Sequence, residues 1–297
     1  MESLLNRLRA SLHARELPQG GWAFLRGSFQ MALEPTCLAL LALRSERSVD
    51  ANTLVNEQRS DGGWGAFSDD AQASGLTGLA LLALNTLGTV EPVRSRAVRW
   101  LLNHRGKEAS WPWKWKFRTR DTRVRLDPDK FGWPWQPGTC SWVVPTAFAL
   151  VALKQNVPCH RPRKVDRRIR RGVEMLLDRA CPGGGWNAGN GVVYGQLMTP
   201  HIDATAIALL ALQGLPATEI TDRSLAWLYR EASASQAPWS LAWSILALDL
   251  YGNPVESVQQ SLACLAESDP FDDTATLAVV VLALDCTNSG NPFKVLL

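Results

Sequence analysis

One phrase recurs along the chain and constrains its fold more than any other feature. It reads PTCLALLAL at 35–43, LTGLALLAL at 76–84, PTAFALVAL at 145–153, ATAIALLAL at 204–212, a degenerate SLAWSILAL at 240–248 and a longer DTATLAVVVLAL at 273–284. Such self-similarity marks a repeat architecture. Leu and Ala are strong helix formers, so each copy predicts a helix. Each is apolar almost all round, which predicts a helix buried on every side. Between the copies lie segments with charges on one face, among them 93–103, 165–178 and 222–231, which read as surface helices. Buried and surface helices alternating six times predict an all-α chain of two concentric layers. Six helical hairpins close such layers into an (α/α)6 barrel, and an open solenoid is the alternative. The whole chain, 1–297, reads as one such domain.

Short turns precede several of the apolar helices: GGW at 20–22, DGGWG at 61–65 and GGGW at 183–186. Glycine permits the positive φ that such turns need. The tryptophans are expected to pack between neighbouring hairpins.

Charge excludes one class of function. The chain carries 31 Lys+Arg against 28 Asp+Glu, a net +3, so global charge does not mark a nucleic-acid binder. No Gly-rich phosphate loop, dinucleotide fingerprint or Ser-His-Asp order is present. The six cysteines are scattered and read as reduced thiols. Nothing approaches the ~18 consecutive apolar residues of a membrane span. A cytoplasmic protein is expected, with room for attachment to a membrane face.

The repeated phrase, the QRSDGGWG at 58–65 and the DDTA at 272–275 resemble the prenyltransferase and squalene-hopene cyclase repeat superfamily. The resemblance covers nearly the whole chain. It implies an (α/α)6 barrel around an apolar central cavity, here a single barrel of class II terpene cyclase type. It also implies an isoprenoid substrate and carbocation chemistry. In class II cyclases the residue at the place of Asp272 is the general acid of an Asp-x-Asp-Asp-Thr-Ala motif, and Asp273 is its neighbour. The motif is partial here, because Pro270 replaces the first Asp and Asp269 stands one place earlier. Oxidosqualene cyclases lack that Asp too. Protein prenyltransferases of the superfamily hold zinc at inner-helix starts, but the place of their His is taken here by Asp273. Cys159, His160, Cys181, His201 and Asp203 follow no zinc spacing, so no metal or cofactor is expected.

Aligned on their Thr, the copies carry Glu34, Gly75, Val144, Asp203 and Asp272 two places earlier. In a closed barrel these are equivalent sites at one mouth of the cavity. Carboxylates there are either helix caps or functional groups. An apolar wall and a neighbouring carboxylate would keep such an acid protonated near neutral pH. Asp272 and Asp273 are the candidate catalytic pair. Glu34, Asp203, His201, Trp142 and Trp239 are the candidate substrate contacts.

The third unit carries an insertion at about 105–141, rich in Trp, Lys and Arg. Trp111, Trp113 and Trp115 alternate with other residues, which predicts an extended segment with one aromatic face. Trp133 and Trp135 repeat the pattern. Three readings compete: a lid over the cavity, a patch that meets a membrane surface, or a loop packed on the outer ring. The basic run at 161–171 reads as a solvated helix face. Together these features predict a terpenoid cyclase-like enzyme that protonates an isoprenoid. The alternative is a non-catalytic isoprenoid or lipid binder, or a subunit that needs a protein partner.

Overall fold

A computed structural model describes all residues except 47–48, 50, 89–90, 120–125, 156–161, 269–270 and 296–297. Asp269, Pro270, Cys159 and His160 therefore lie outside the described residues. Thirteen α-helices account for most of what is described. Six are inner helices: α2 (Leu33–Ala42), α4 (Thr77–Thr86), α7 (Val143–Gln155), α9 (Ile202–Leu212), α11 (Pro238–Leu250) and α13 (Thr274–Ser289). Six outer helices each precede one of them: α1 (Glu2–His13), the short α3 (Asn52–Asn56), α5 (Glu91–Asn103), α8 (Arg163–Arg179), α10 (Glu219–Ala234) and α12 (Glu256–Ser268). Neighbouring inner helices pack in order from α2 to α13, and α13 packs back on α2. That last contact closes the ring. The fold is an all-α toroid, not an open solenoid.

The core follows the repeated phrase. Nearly every residue of 37–43, 79–84, 147–153, 204–212 and 277–284 is buried, whichever way it points. Each outer helix buries one face only, as Leu4, Leu5, Leu8 and Leu12 do on α1.

One latch joins turn, inner helix and outer helix four times over. The Thr of the phrase accepts the backbone N–H of the preceding Trp: Thr36 from Trp22, Thr77 from Trp64, Thr146 from Trp133 and Thr205 from Trp186, at 2.8–3.1 Å. Each indole N–H then donates to a carbonyl of the preceding outer-layer helix, at Leu12, Leu54, Leu101 and Leu176. Before Trp22, Trp133 and Trp186 the glycine lets the Thr hydroxyl approach. Gly185 sits at φ +78°, and a Cβ there would lie 2.9 Å from Thr205 Oγ1. The packing role expected of Trp22, Trp64 and Trp186 is thus realised, and Trp133 shares it.

The insertion corrects two expectations. Trp111, Trp113 and Trp115 lie on a helix, α6 (Trp111–Thr119), not on an extended segment. Trp-x-Trp-x-Trp also fits helical i,i+4 spacing, and the Trp113 and Phe117 rings pair at 5.9 Å. The basic run is not wholly solvated either. Arg168 is buried over the Trp133 ring, its guanidinium carbon 3.3 Å from the ring centroid. It donates to the carbonyls of His104, Phe131 and Gly132. Burial lowers its pKa to about 9, against the countering charge of Glu108. Arg168 pins the insertion to the outer ring. Cys37, Cys140, Cys181, Cys264 and Cys286 are free. Among the described residues, no helix is long and apolar enough to cross a membrane.

Candidate functional site

Helices that alternate outer and inner around a closed ring run the inner set in one direction. Their N-termini therefore gather at one end, the mouth. Adjacent units meet there: Gly75 N–H donates to Trp135 O, Val143 N–H to Ala188 O and Thr274 N–H to Phe24 O. The residues two places before the Thr position form a ring at the mouth. Glu34, Val144, Asp203 and Trp239 are part-buried, Gly75 is buried and Asp272 is exposed.

Two pairs of predicted site residues come together. Trp239 on α11 points its indole N–H at Asp203 Oδ2 on α9, at 3.3 Å. Glu34 on α2 lies within the field of Asp273, which precedes the neighbouring α13. Glu34's carboxyl is pushed up to about 7, first by burial and then by the Asp273 charge. Asp273 is the N-cap of α13, accepting from Thr276 N–H and its hydroxyl. Asp272 stands outside this contact on the rim. Its carbonyl and that of Phe271 accept from Arg15. His201 is exposed as the N-cap of α9. Trp142, just before α7, is 39% exposed, with the loop at Gly189 close to its ring.

Below the mouth the centre of the barrel is packed with aromatic rings. Trp243 lies one turn deeper than Trp239, their ring centroids 5.6 Å apart. It also meets Phe148 of α7 at 5.8 Å. Helices α7 and α11 flank α9 and are not ring neighbours, so this contact runs through the packed centre of the ring. Phe293, from the chain's end, meets Trp243 at 5.2 Å. Trp243, Phe148 and Phe293 are all at most 1% exposed. Sequence reading missed Trp243 and Phe148 because they lie inside the apolar phrases, where they look like core.

Among the described residues, no three His, Cys, Asp or Glu side chains gather as a metal site. Large apolar side chains are exposed on loops that lead into the mouth. Leu25 and Phe29 precede α2, and Tyr194 and Leu197 belong to a small hairpin, β1 (Val192–Val193) and β2 (Gln196–Leu197), that precedes α9.

No protein-family model matches the chain, and no curated protein matches it in sequence. Solved structures do resemble it. The type II terpene cyclase MstE from Scytonema superposes with a TM-score of 0.61 over 95% of this chain and 97% of that one, at 15% identity. A variant of the same enzyme, in complex with its product merosterolic acid A, gives 0.60 over 96% and 98%, at 14% identity. At such identity the likeness speaks for the fold. The chain has a class II terpene cyclase-like fold.

Proposed function

We propose that the protein is a terpenoid cyclase-like enzyme. It takes an isoprenoid through the mouth, protonates it and guides the resulting carbocation. One observation carries this reading: Glu34 is part-buried at the mouth within the field of Asp273, and its carboxyl is pushed up to about 7. A general acid needs that property. The O–H bond of Glu34 breaks as its proton goes to an alkene carbon, and the alkene π pair forms the new C–H bond. The adjacent carbon becomes the cation. Ring closure moves that charge along the chain, and loss of a proton ends the reaction with no net change in atoms. Burial first, and then the Asp273 charge, keep Glu34 protonated. Asp272, exposed beside it, is placed to return a proton from solvent. The ring of Trp239, part-buried at the mouth, attracts a cation, at about 0.5–2 kcal/mol. Asp203 fixes the Trp239 ring, and His201 and Trp142 meet the entering chain. A terpene cyclase of this fold solved with its product supports a terpenoid ligand here.

The test is Glu34→Gln and Asp272→Asn, assayed with prenyl diphosphates, squalene and oxidosqualene. Loss in Glu34→Gln supports this reading. Unchanged turnover in both removes it. A second reading, a non-catalytic isoprenoid binder or a partner-dependent subunit, is favoured by the exposed Leu25, Phe29, Trp142, Tyr194 and Leu197 around the mouth. A membrane surface or a protein partner would cover them. Native mass spectrometry separates the two, since a carrier retains lipid and converts none.

A further inference from the structure

We infer that α6 lays the protein on an anionic lipid bilayer, with its outer tryptophans at the depth of the headgroups and its cations toward their phosphates. The inference concerns the insertion alone and does not rest on turnover in the barrel. Three observations carry it. First, α6 is a helix of 9 residues and buries none of them. It packs mainly on a single turn of 3-10 helix, Lys107–Ala109. A helix needs roughly 12–15 residues to hold its shape alone in water, so α6 gains from a surface laid against it.

Second, the two faces of α6 differ. At about 100° per residue, Trp111, Pro112 and Trp115 fall on one side of the helix. Trp111 is 78% exposed and Trp115 48%. Trp113 and Phe117 fall on the other side, part-buried, with their rings paired. Lys116 borders the outer face on one flank, and Lys114 and Arg118 border it on the other. Indoles flanked by cations suit the boundary between hydrocarbon and headgroup. Third, the cations outnumber their partners. Lys114 and Arg118 share one carboxylate, that of Asp129. Lys107 and Lys116 stand 4.2 and 4.5 Å from the centroid of the Trp113 ring, and neither has a carboxylate partner among the described residues. Glu108, next to Lys107 in the chain, is buried and accepts from Ser141 N–H instead. Surplus positive charge beside exposed indoles favours anionic lipid. A nucleic acid would want a basic groove that tracks its backbone, and a chain of net charge +3 offers little for one. The patch also joins the mouth, because Lys107 N–H donates at 2.9 Å to Thr139 O in the loop that ends at the exposed Trp142.

The test is co-sedimentation of the full chain with two kinds of vesicle, phosphatidylcholine alone and phosphatidylcholine with about one-third phosphatidylglycerol. The wild type is expected to bind the anionic vesicles about tenfold or more tightly, and to lose that advantage in about 0.5 M salt. Trp111→Ala combined with Trp115→Ala is expected to weaken binding to both kinds by about tenfold or more. Lys116→Gln is expected to weaken binding to the anionic vesicles alone, by about threefold. These side chains are exposed, so melting temperatures should stay close to that of the wild type. Failure of the wild type to bind anionic vesicles overturns the inference, as does equal affinity for the two kinds. Undiminished binding in the folded double variant overturns it too, and so does retention of oligouridylate in place of vesicles. Vesicle binding needs no turnover, and Glu34→Gln should bind as the wild type does. Binding without turnover therefore defeats the catalytic reading alone. Turnover of a detergent-dispersed isoprenoid by a chain that binds no vesicle defeats this inference alone.

Discussion

The two ends of the barrel are built from the same six helices and use their charges differently. At the mouth stand Glu34, Asp203, Asp272 and Asp273; at the far end stand Arg44 and Lys154, with Arg9 paired to Asp285 at 2.7 Å. Parallel inner helices explain the division. Their N-termini favour anions and their C-termini favour cations. The ends also differ in how polar groups are met. At the far end, donors are spent on backbone carbonyls: Lys154 on Ala211 and Gln213, Arg44 on Leu41 and Ser289. These are the carbonyls that helix C-termini leave open. At the mouth, Glu34 and Asp203 stay part-buried, and Glu34 lies within the field of Asp273. One end is finished as structure. The other keeps an acid in an unfavourable place, which is where function concentrates.

The sharpest way to break this contrast is at the mouth. Glu34→Gln is expected to cut turnover by about 10²–10⁴-fold with the fold intact. Steady-state product analysis beside a far-UV dichroism spectrum checks it. If Glu34→Gln and Asp272→Asn behave alike, the buried acid is not the special one. At the far end the expected effect is on stability instead. Gln213 makes hydrogen bonds to Leu210 O and Phe293 O and accepts from Val295. Gln213→Leu leaves these groups buried and unpaired, at a cost of about 3 kcal/mol in urea unfolding.

The ring itself was legible in the sequence because the repeated phrase forces burial wherever it occurs. The Trp latch was legible only in part. Trp133 stands 13 residues before Thr146, the same interval as Trp64 to Thr77, but the insertion around it drew it into an aromatic cluster. The mouth was legible as a set of positions and not as a set of environments. Glu34 read as a substrate contact or a helix cap and not as the acid, because its burial and its closeness to Asp273 arise only when the last helix docks on the first. The far-end tail left no local mark. A Phe in a polar tail looks like any surface Phe until the tail folds under the barrel.

A smaller effect separates the ends by pH. Glu34 titrates near 7 in the fold and near its ordinary 4.5 when unfolded. Its folded value is the higher, so the unfolded chain gives up this proton first as pH rises. The stability tied to the protonated form is fully present below about pH 4.5 and is lost as pH climbs through about 7. The loss is at most about 3 kcal/mol, and about 2 once partial exposure is allowed for. Glu34→Gln should flatten this slope, while Gln213→Leu should lower stability evenly at every pH. Urea unfolding between pH 5 and pH 8, on the order of the titration range, distinguishes them.

Asp273→Asn gives the finest resolution, because Asp273 serves both structure and electrostatics. It caps α13 through Thr276 N–H, and it raises the Glu34 carboxyl by like charge. Asn is as good an N-cap as Asp, so stability should change by less than about 0.5 kcal/mol. The charge is gone, however. Burial is the larger cause of the Glu34 shift and remains, so only part of the shift relaxes. The high-pH fall in activity should therefore move down by about half a unit to one unit. A pH profile of kcat/KM reads this directly. A profile that stays in place would mean that Asp273 acts as a cap alone. A profile that moves while the melting temperature does not would assign the acidity of the mouth to the meeting of the first and last inner helices, a juxtaposition that exists only in the closed ring.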